Sequence, residues 1–278
     1  KTNLAFTASG EVNGYNVSYY QASQDQFAGM SSARLSIDMG DMGTLAFDQG
    51  SGSGLATIDD KTPTAAEEIW DGLDVTTSGR VGAAGSSGVF NYVKSFEGVT
   101  FNGAARKGSG TSNSDGASSG VGQGAWDFAL TADGSSMGVD GLAIGAGYGE
   151  AENGSEASTT GGDNAHVTGF ANYSVGPVTF GAQMSYEHNN TTGTRDEETT
   201  AWGLAFNVNE NLSISYGERD VVFRGQGSGD ITEKGDGIAV AYTMGSMKIA
   251  GNMNDATNQG GTTAANDSMT EIAVSFAF

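Results

Sequence analysis

The sequence predicts an all-β protein: a transmembrane, up-and-down antiparallel β-barrel. Three observations carry the prediction. Apolar residues recur with a period of two in segment after segment, as they do on a strand with one buried face. The connections between segments alternate between short and long. No run approaches the roughly 20 apolar residues that a membrane-spanning helix needs.

The C-terminal segment Met269–Phe278 shows the alternation best, with Ile272, Val274, Phe276 and Phe278 on one face and Glu271, Ala273, Ser275 and Ala277 on the other. The pattern begins at Leu4-Phe6-Ala8 and Tyr15-Val17-Tyr19, then recurs in Trp126-Phe128-Leu130 and Leu142-Ile144-Ala146-Tyr148. Further copies are Val178-Phe180-Ala182-Met184-Tyr186, Trp202-Leu204-Phe206-Val208, Leu212-Ile214-Tyr216 and Ile238-Val240-Tyr242-Met244. Between the large residues stand Gly, Ala, Ser, Thr, Asn and Gln. A small, polar second face suits a wet interior and an apolar exterior, the reverse of a soluble sandwich.

Short connections fall at Asn13-Gly14, Met39–Gly43, Glu97-Gly98, Gly134–Gly141, Val175–Pro177, Asn209–Asn211 and Gly245-Ser246, with the glycines that tight hairpins favour. Long ones fall near 23–30, 49–86, 109–123, 153–165, 190–196, 225–233 and 257–265. Strict alternation puts the two kinds at opposite ends of a barrel, short turns toward the periplasm and long loops outside. Fifteen strands can be counted. Barrels of this kind have even strand numbers with both termini on the periplasmic side, so about sixteen strands are expected, with one strand and one external loop ahead of Lys1. The chain opens without a signal-peptide pattern, which reads as a processed form.

Composition narrows the function. The 278 residues suit one large all-β domain, read as a single unit over 1–278. Glycine is abundant at 45 residues, but 13 Phe, 9 Tyr and 3 Trp are spaced regularly, which argues against a disordered chain. The absence of cysteine excludes disulfides and thiolate metal sites. A formal charge of −21, from 33 acids and 12 bases, makes nucleic acid an unsuitable partner and would draw cations to any opening through the protein.

The stretch from Gln49 to Ser86 is the one long segment without strand pattern. It carries Asp59, Asp60, Glu67, Glu68, Asp71 and Asp74, with Lys61 and Arg80 as its only cations. A structureless insert of this size in a compact protein is functional, disordered or a misread element. It is read here as folding into the bore and narrowing it.

Three segments give the chain a family likeness. "SSARLSIDMGDMGTLAFDQG" at 31–50 is similar to the hairpin that precedes the internal loop of the general diffusion porins of Gram-negative outer membranes. "NYVKSFEGVTFNGAARKG" at 91–108 resembles the hairpin that follows it, and "MTEIAVSFAF" at 269–278 resembles the closing strand with its terminal phenylalanine. The likeness is to the sixteen-stranded trimeric porins of the alphaproteobacterial type. The Pro-Glu-Phe-Gly loop tip of enterobacterial relatives is replaced here by "PTAAEEIWDG" at 63–72. With one strand restored ahead of Lys1, the segment 49–86 falls between strands five and six, the position of the family's constriction loop.

Alternation assigns Arg34, Arg106, Arg219 and Lys248 to the inner face. The resemblance implies a transverse field at a constriction, with the acids Asp59, Asp60, Glu67, Glu68, Asp71 and Asp74 opposite Arg34, Arg106 and Arg80. Arg219 and Lys248 would line the pore elsewhere, and Lys94 would snorkel at the periplasmic rim. The bland alternative is that these charges anchor the loop or form a solvated face. Tyr15, Tyr19, Phe96, Trp126, Tyr148, Tyr173, Tyr186 and Tyr242 fit interfacial girdles, and the small residues Gly169 and Ala171 on an outward face fit a subunit contact.

Catalysis has little support: His166 and His188 are the only histidines and neither has a metal-site spacing. No cofactor is expected, unless the carboxylates of Asp59, Asp60, Glu67 and Glu68 hold calcium. The expected function is a water-filled, cation-preferring channel for passive diffusion of small hydrophilic solutes. Its expected partners are outer-membrane lipid, lipopolysaccharide and two further copies of itself. The alternative is a non-conducting surface barrel acting as an adhesin or phage receptor.

Overall fold

The computed structural model of the chain describes residues 4–49, 52–75, 78–85, 87–107, 124–152, 163–190, 194–225 and 229–277. It contains one antiparallel sheet of fifteen strands, each paired to its neighbours in sequence. The first seven are β1 Ala5–Val12, β2 Tyr15–Ser23, β3 Met30–Asp38, β4 Thr44–Gln49, β5 Ser87–Phe96, β6 Val99–Arg106 and β7 Ala125–Asp133. The rest are β8 Leu142–Ala151, β9 Asn164–Val175, β10 Val178–His188, β11 Glu197–Asn207, β12 Leu212–Phe223, β13 Ile231–Met244, β14 Met247–Thr257 and β15 Asp267–Phe276. Much of the long connections 109–123 and 153–165, parts of 190–196 and 225–233, and the terminal Phe278 lie outside the described residues.

The tight hairpins follow their sequence. Asn13 and Gly14 both have positive φ, 52° and 85°, and so do Glu97 and Gly98, 47° and 82°. Two successive left-handed residues give a turn whose twist matches the flanking strands.

Directly paired residues share a face, so the register sorts every side chain. Leu35, Phe47 and Phe90 stand in one outward row, and Phe47 and Phe90 meet edge to face with centroids 5.3 Å apart. Arg34, Asp48, Val89 and Arg106 stand in the inward row beside it. Tyr15, Tyr19, Phe96, Trp126, Tyr148, Tyr173, Tyr186 and Tyr242 all point outward. Toward the long-loop end their hydroxyls find carboxylates: Tyr148 Oη donates to Glu150 Oε1 at 2.6 Å and Tyr216 Oη to Glu218 Oε1 at 2.7 Å. An apolar ring with a polar tip suits the boundary between hydrocarbon and headgroup.

The sheet curves into a barrel wall around the segment between β4 and β5. That segment is bonded to Asp127 on β7 near its root and to Asp267 on β15 near its tip, so one loop touches strands eight positions apart. Among the described residues, β1 and β15 are the two ends of the sheet.

Candidate functional site: the loop inside the barrel

The described residues of the segment 49–86 lie against the inner wall. After Ser53 donates to Asp48 Oδ2 at 2.7 Å, a 3-10 turn over Gly54–Ile58 places Leu55 and Ile58 against Ala129, Val81 and the inward ring of Phe170. The chain then runs across the strands. Lys61 N–H donates to Gln183 Oε1 on β10 at 2.6 Å, and Ala65 N–H donates to Ser215 Oγ on β12 at 2.8 Å. Asn254 Nδ2 on β14 donates to the carbonyls of Glu68 and Asp71, and Asp74 N–H donates to Asp267 Oδ2 on β15. The return leg is held by Gly79 N–H donating to Glu197 Oε2 at 2.6 Å and by Ala84 N–H donating to Asp127 Oδ2 at 2.7 Å.

Two features of the wall receive this path. Inward polar side chains of β9 to β15 satisfy backbone groups that burial would otherwise leave unpaired. Inward glycines leave room for the loop's bulk. A Cβ at Gly147 would come within 2.4 Å of Leu55 Cδ1, one at Gly203 within 2.6 Å of the Pro63 carbonyl oxygen, and one at Gly237 within 3.1 Å of Ile69 Cγ2. Leu55, Ile58, Trp70, Leu73 and Val81 are buried as a result. Burying one such large apolar side chain stabilises by about 1.5–3 kcal/mol. The loop is seated, not draped.

The loop covers inner-face residues from β5 to β15 and leaves the inner faces of β1 and β2 open. Thr7, Ser9, Glu11, Asn16, Ser18 and Tyr20 are inward and exposed. Beside β1 and β2 the inner face is therefore open to water.

The predicted site residues divide. Arg34, Arg106, Arg219 and Lys248 all stand on the inner face. Arg34 is partly exposed and donates to Asn91 Oδ1 at 2.7 Å, with Asp48 Oδ2 at 3.7 Å. Arg106 stands beside the return leg, its Nε 4.0 Å from where a Cβ on Gly85 would lie. Lys248 is exposed near the short-turn end.

Arg219 does not line the opening. It is 4% exposed, sealed beneath Trp70 with 4.6 Å between its guanidinium and the ring centroid, and ion-paired to Glu233. Alternation fixes the face of a residue but not what covers it. Arg80 likewise does not face the acids from the wall. It is in the loop, and its Nε and Nη2 donate to Asp59 Oδ2 at 3.1 and 3.0 Å.

The acids are spread along the crossing. Asp59 and Asp60 flank the contact with β10, whereas Glu67, Glu68, Asp71 and Asp74 lie beside β12 to β15. Asp59, Asp60, Glu67 and Glu68 therefore form no ready-made calcium cage. Among the described residues no three His, Cys, Asp or Glu side chains converge closely enough to hold a metal ion. Crowding shifts two of the acids. Burial, reinforced by Asp60 and only partly offset by Arg80, pushes Asp59 up to about 6. Burial, together with the charges of Asp60, Glu67 and Asp71, holds Glu68 above the usual carboxylate range.

Comparison with known proteins fits this geometry. A family model described as Gram-negative porin matches residues 2–261. The chain belongs to that family. Membership makes the barrel a channel for passive diffusion and places it in the outer membrane of a Gram-negative bacterium. No curated protein sequence matches closely enough to count as a relative.

Several solved porins share the fold. Outer-membrane expressed OmpT of Vibrio cholerae aligns at 14% identity and a TM-score of 0.70, over 99% of this chain and 89% of that one. OmpF of Salmonella typhi aligns at 12% identity and 0.70, over 98% and 89%. An anion-selective porin from Comamonas acidovorans aligns at 11% identity and 0.66, over 99% and 89%. At these identities the likeness is one of fold, and an anion-selective neighbour shows that a porin fold does not by itself fix the sign of the ion preferred.

The residues that seat the loop in this porin escaped sequence reading. Asp127 resembles any inward polar residue of a strand until both its oxygens are seen bonded to the loop. The inward position of Phe170 could have been found, since its neighbours Gly169 and Ala171 were already assigned outward. An aromatic ring on a wet face signals something packed against it.

Proposed function

We propose that this porin is a trimeric channel that passes small hydrophilic solutes and prefers cations, set in a bilayer of phospholipid and lipopolysaccharide. The observation that carries the preference is the pairing of three arginines, which leaves Arg106 and Lys248 as the inward wall cations without an ion-pair partner among the described residues. Arg219 is neutralised by Glu233 behind the loop, Arg80 is held by Asp59, and Arg34 lies beside Asp48. Glu67, Asp71 and Glu271 have no ion-pair partner among the described residues, so the field at the opening is set mainly by acids. Charges lining the narrowest part of a pore decide which ions enter it.

Trimer formation is supported by the outward small residues Gly169 and Ala171 and by the solved OmpT of Vibrio cholerae described as a trimer form. The outward aromatic residues with their carboxylate partners suit the bilayer boundary, where lipopolysaccharide headgroups would be the neighbours. Reconstitution in planar bilayers under a salt gradient tests the proposal. A reversal potential of cationic sign is expected. An anionic sign would overturn the preference, and absence of stepwise conductance would overturn the channel.

A further inference from the structure

A recess of about 420 Å³ lies between the tip of the internal loop and the wall, lined by Glu67, Asp71, Gly72, Asn252, Glu271 and small residues of β14 and β15. Three carboxylates surround it from two sides, Glu67 and Asp71 from the loop and Glu271 from β15. None has a Lys, Arg or His within ion-pair distance among the described residues. Asp59 and Asp60 of the same loop are ion-paired, to Arg80 and Lys61, whereas no cation among the described residues lies against this trio.

The second observation is Asn252. It lines the recess and is 4% exposed, yet its Nδ2 has no hydrogen-bond partner. The neighbouring inward asparagine, Asn254, spends both N–H groups on the carbonyls of Glu68 and Asp71. A buried amide donor left unpaired is unfavourable unless something occupies the space in front of it. The floor is made small by Ala250 and Ala273, which leaves that space open.

We infer that this recess is a binding subsite for polar solutes that carry both an ammonium group and a nearby oxygen acceptor, such as an amino sugar. The ammonium would sit among Glu67, Asp71 and Glu271, and the oxygen would accept from Asn252 Nδ2. A bare metal ion fits less well, since among the described residues no three carboxylates converge closely enough to hold one. The volume instead suits an organic molecule that carries its ammonium on a larger polar frame. The recess opens at the loop tip, where a passing solute would dwell briefly and leave, as conduction requires. The inference rests on the channel reading and names the solute class that the channel would favour.

The test uses the full-length protein in planar bilayers, with glucosamine as the probe at slightly acid pH and N-acetylglucosamine as its uncharged counterpart. Glucosamine is expected to reduce the ion current in a saturable way that N-acetylglucosamine does not. Glu271→Gln and Asn252→Ala should each raise the half-blocking concentration about tenfold, a difference of about 1.4 kcal/mol, and Asn252→Ala, which removes no charge, should keep the conductance in plain salt. Equal block by both sugars, no saturable block, or unchanged block in both variants would overturn the subsite and leave the channel standing. Loss of all conductance in the unmodified protein would overturn both.

Discussion

Arg219 Nη2 donates to Glu233 Oε1 at 2.8 Å, and neither side chain has more than 4% of its surface in contact with solvent. The pair belongs to β12 and β13, but it holds more than those strands. Arg219 Nη1 donates to the Ser78 carbonyl at 2.8 Å, Trp70 lies over the guanidinium, and Glu233 Oε2 accepts from Gly260 N–H at 2.8 Å. One buried ion pair thus fixes the return leg of the internal loop and the external connection around Gly260.

Removing one partner should be far worse than removing both. Glu233→Ala leaves a buried, uncompensated guanidinium and should destabilise by about 3–5 kcal/mol. Replacing the pair by apolar residues of similar volume should lose much less, and thermal unfolding of the folded barrel, followed by its shift in gel mobility, ranks the variants.

Asp127 is the corresponding staple at the loop's root. Its two oxygens accept from Leu55 N–H at 3.0 Å and Ala84 N–H at 2.7 Å, one on each leg. Asp127→Ala leaves two buried donors unpaired, at about 1–3 kcal/mol each. Trypsin should then cut the folded barrel faster at Lys61 or Arg80.

The glycine-lined wall gives a prediction of the opposite kind, an added atom. Gly203→Ala would place a Cβ 2.6 Å from the Pro63 carbonyl oxygen. Overpacking of this sort destabilises by about 1–3 kcal/mol. The displaced segment should give a noisier open-channel current, while the barrel itself still folds.

Acidification should act through Asp59, whose side chain faces Asp60 and Arg80. Its carboxyl titrates at about 6 in the folded protein against 3.8 ordinarily. The folded state therefore binds the extra proton between those values, and the stability that this provides is present below about pH 4 and lost as pH rises through 6. In the same window the loop gains a negative charge. Cation preference should rise between pH 5 and pH 7, and Asp59→Asn should abolish that step.

The barrel was legible because a strand's period of two survives any local detail. Arg34, Arg106, Arg219 and Lys248 were placed on the inner face by that rule alone, and each lies there. What covers Arg219 was not legible, because Trp70 arrives from a segment about 150 residues earlier with no periodic signal of its own. The same holds for the loop acids. Asp60 and Glu67 are close in sequence, but an extended crossing carries them to different strands, along a path fixed by inward side chains such as Gln183, Ser215 and Asn254.

The most direct measurement is the reversal potential of single channels of the full-length protein in a potassium chloride gradient. A barrel whose opening is bounded by unpaired acids and whose inward arginines are mostly paired should give stepwise currents that reverse on the potassium side. Currents that reverse on the chloride side would contradict the assignment of charge at the constriction, and the absence of steps would contradict the open bore beside β1 and β2.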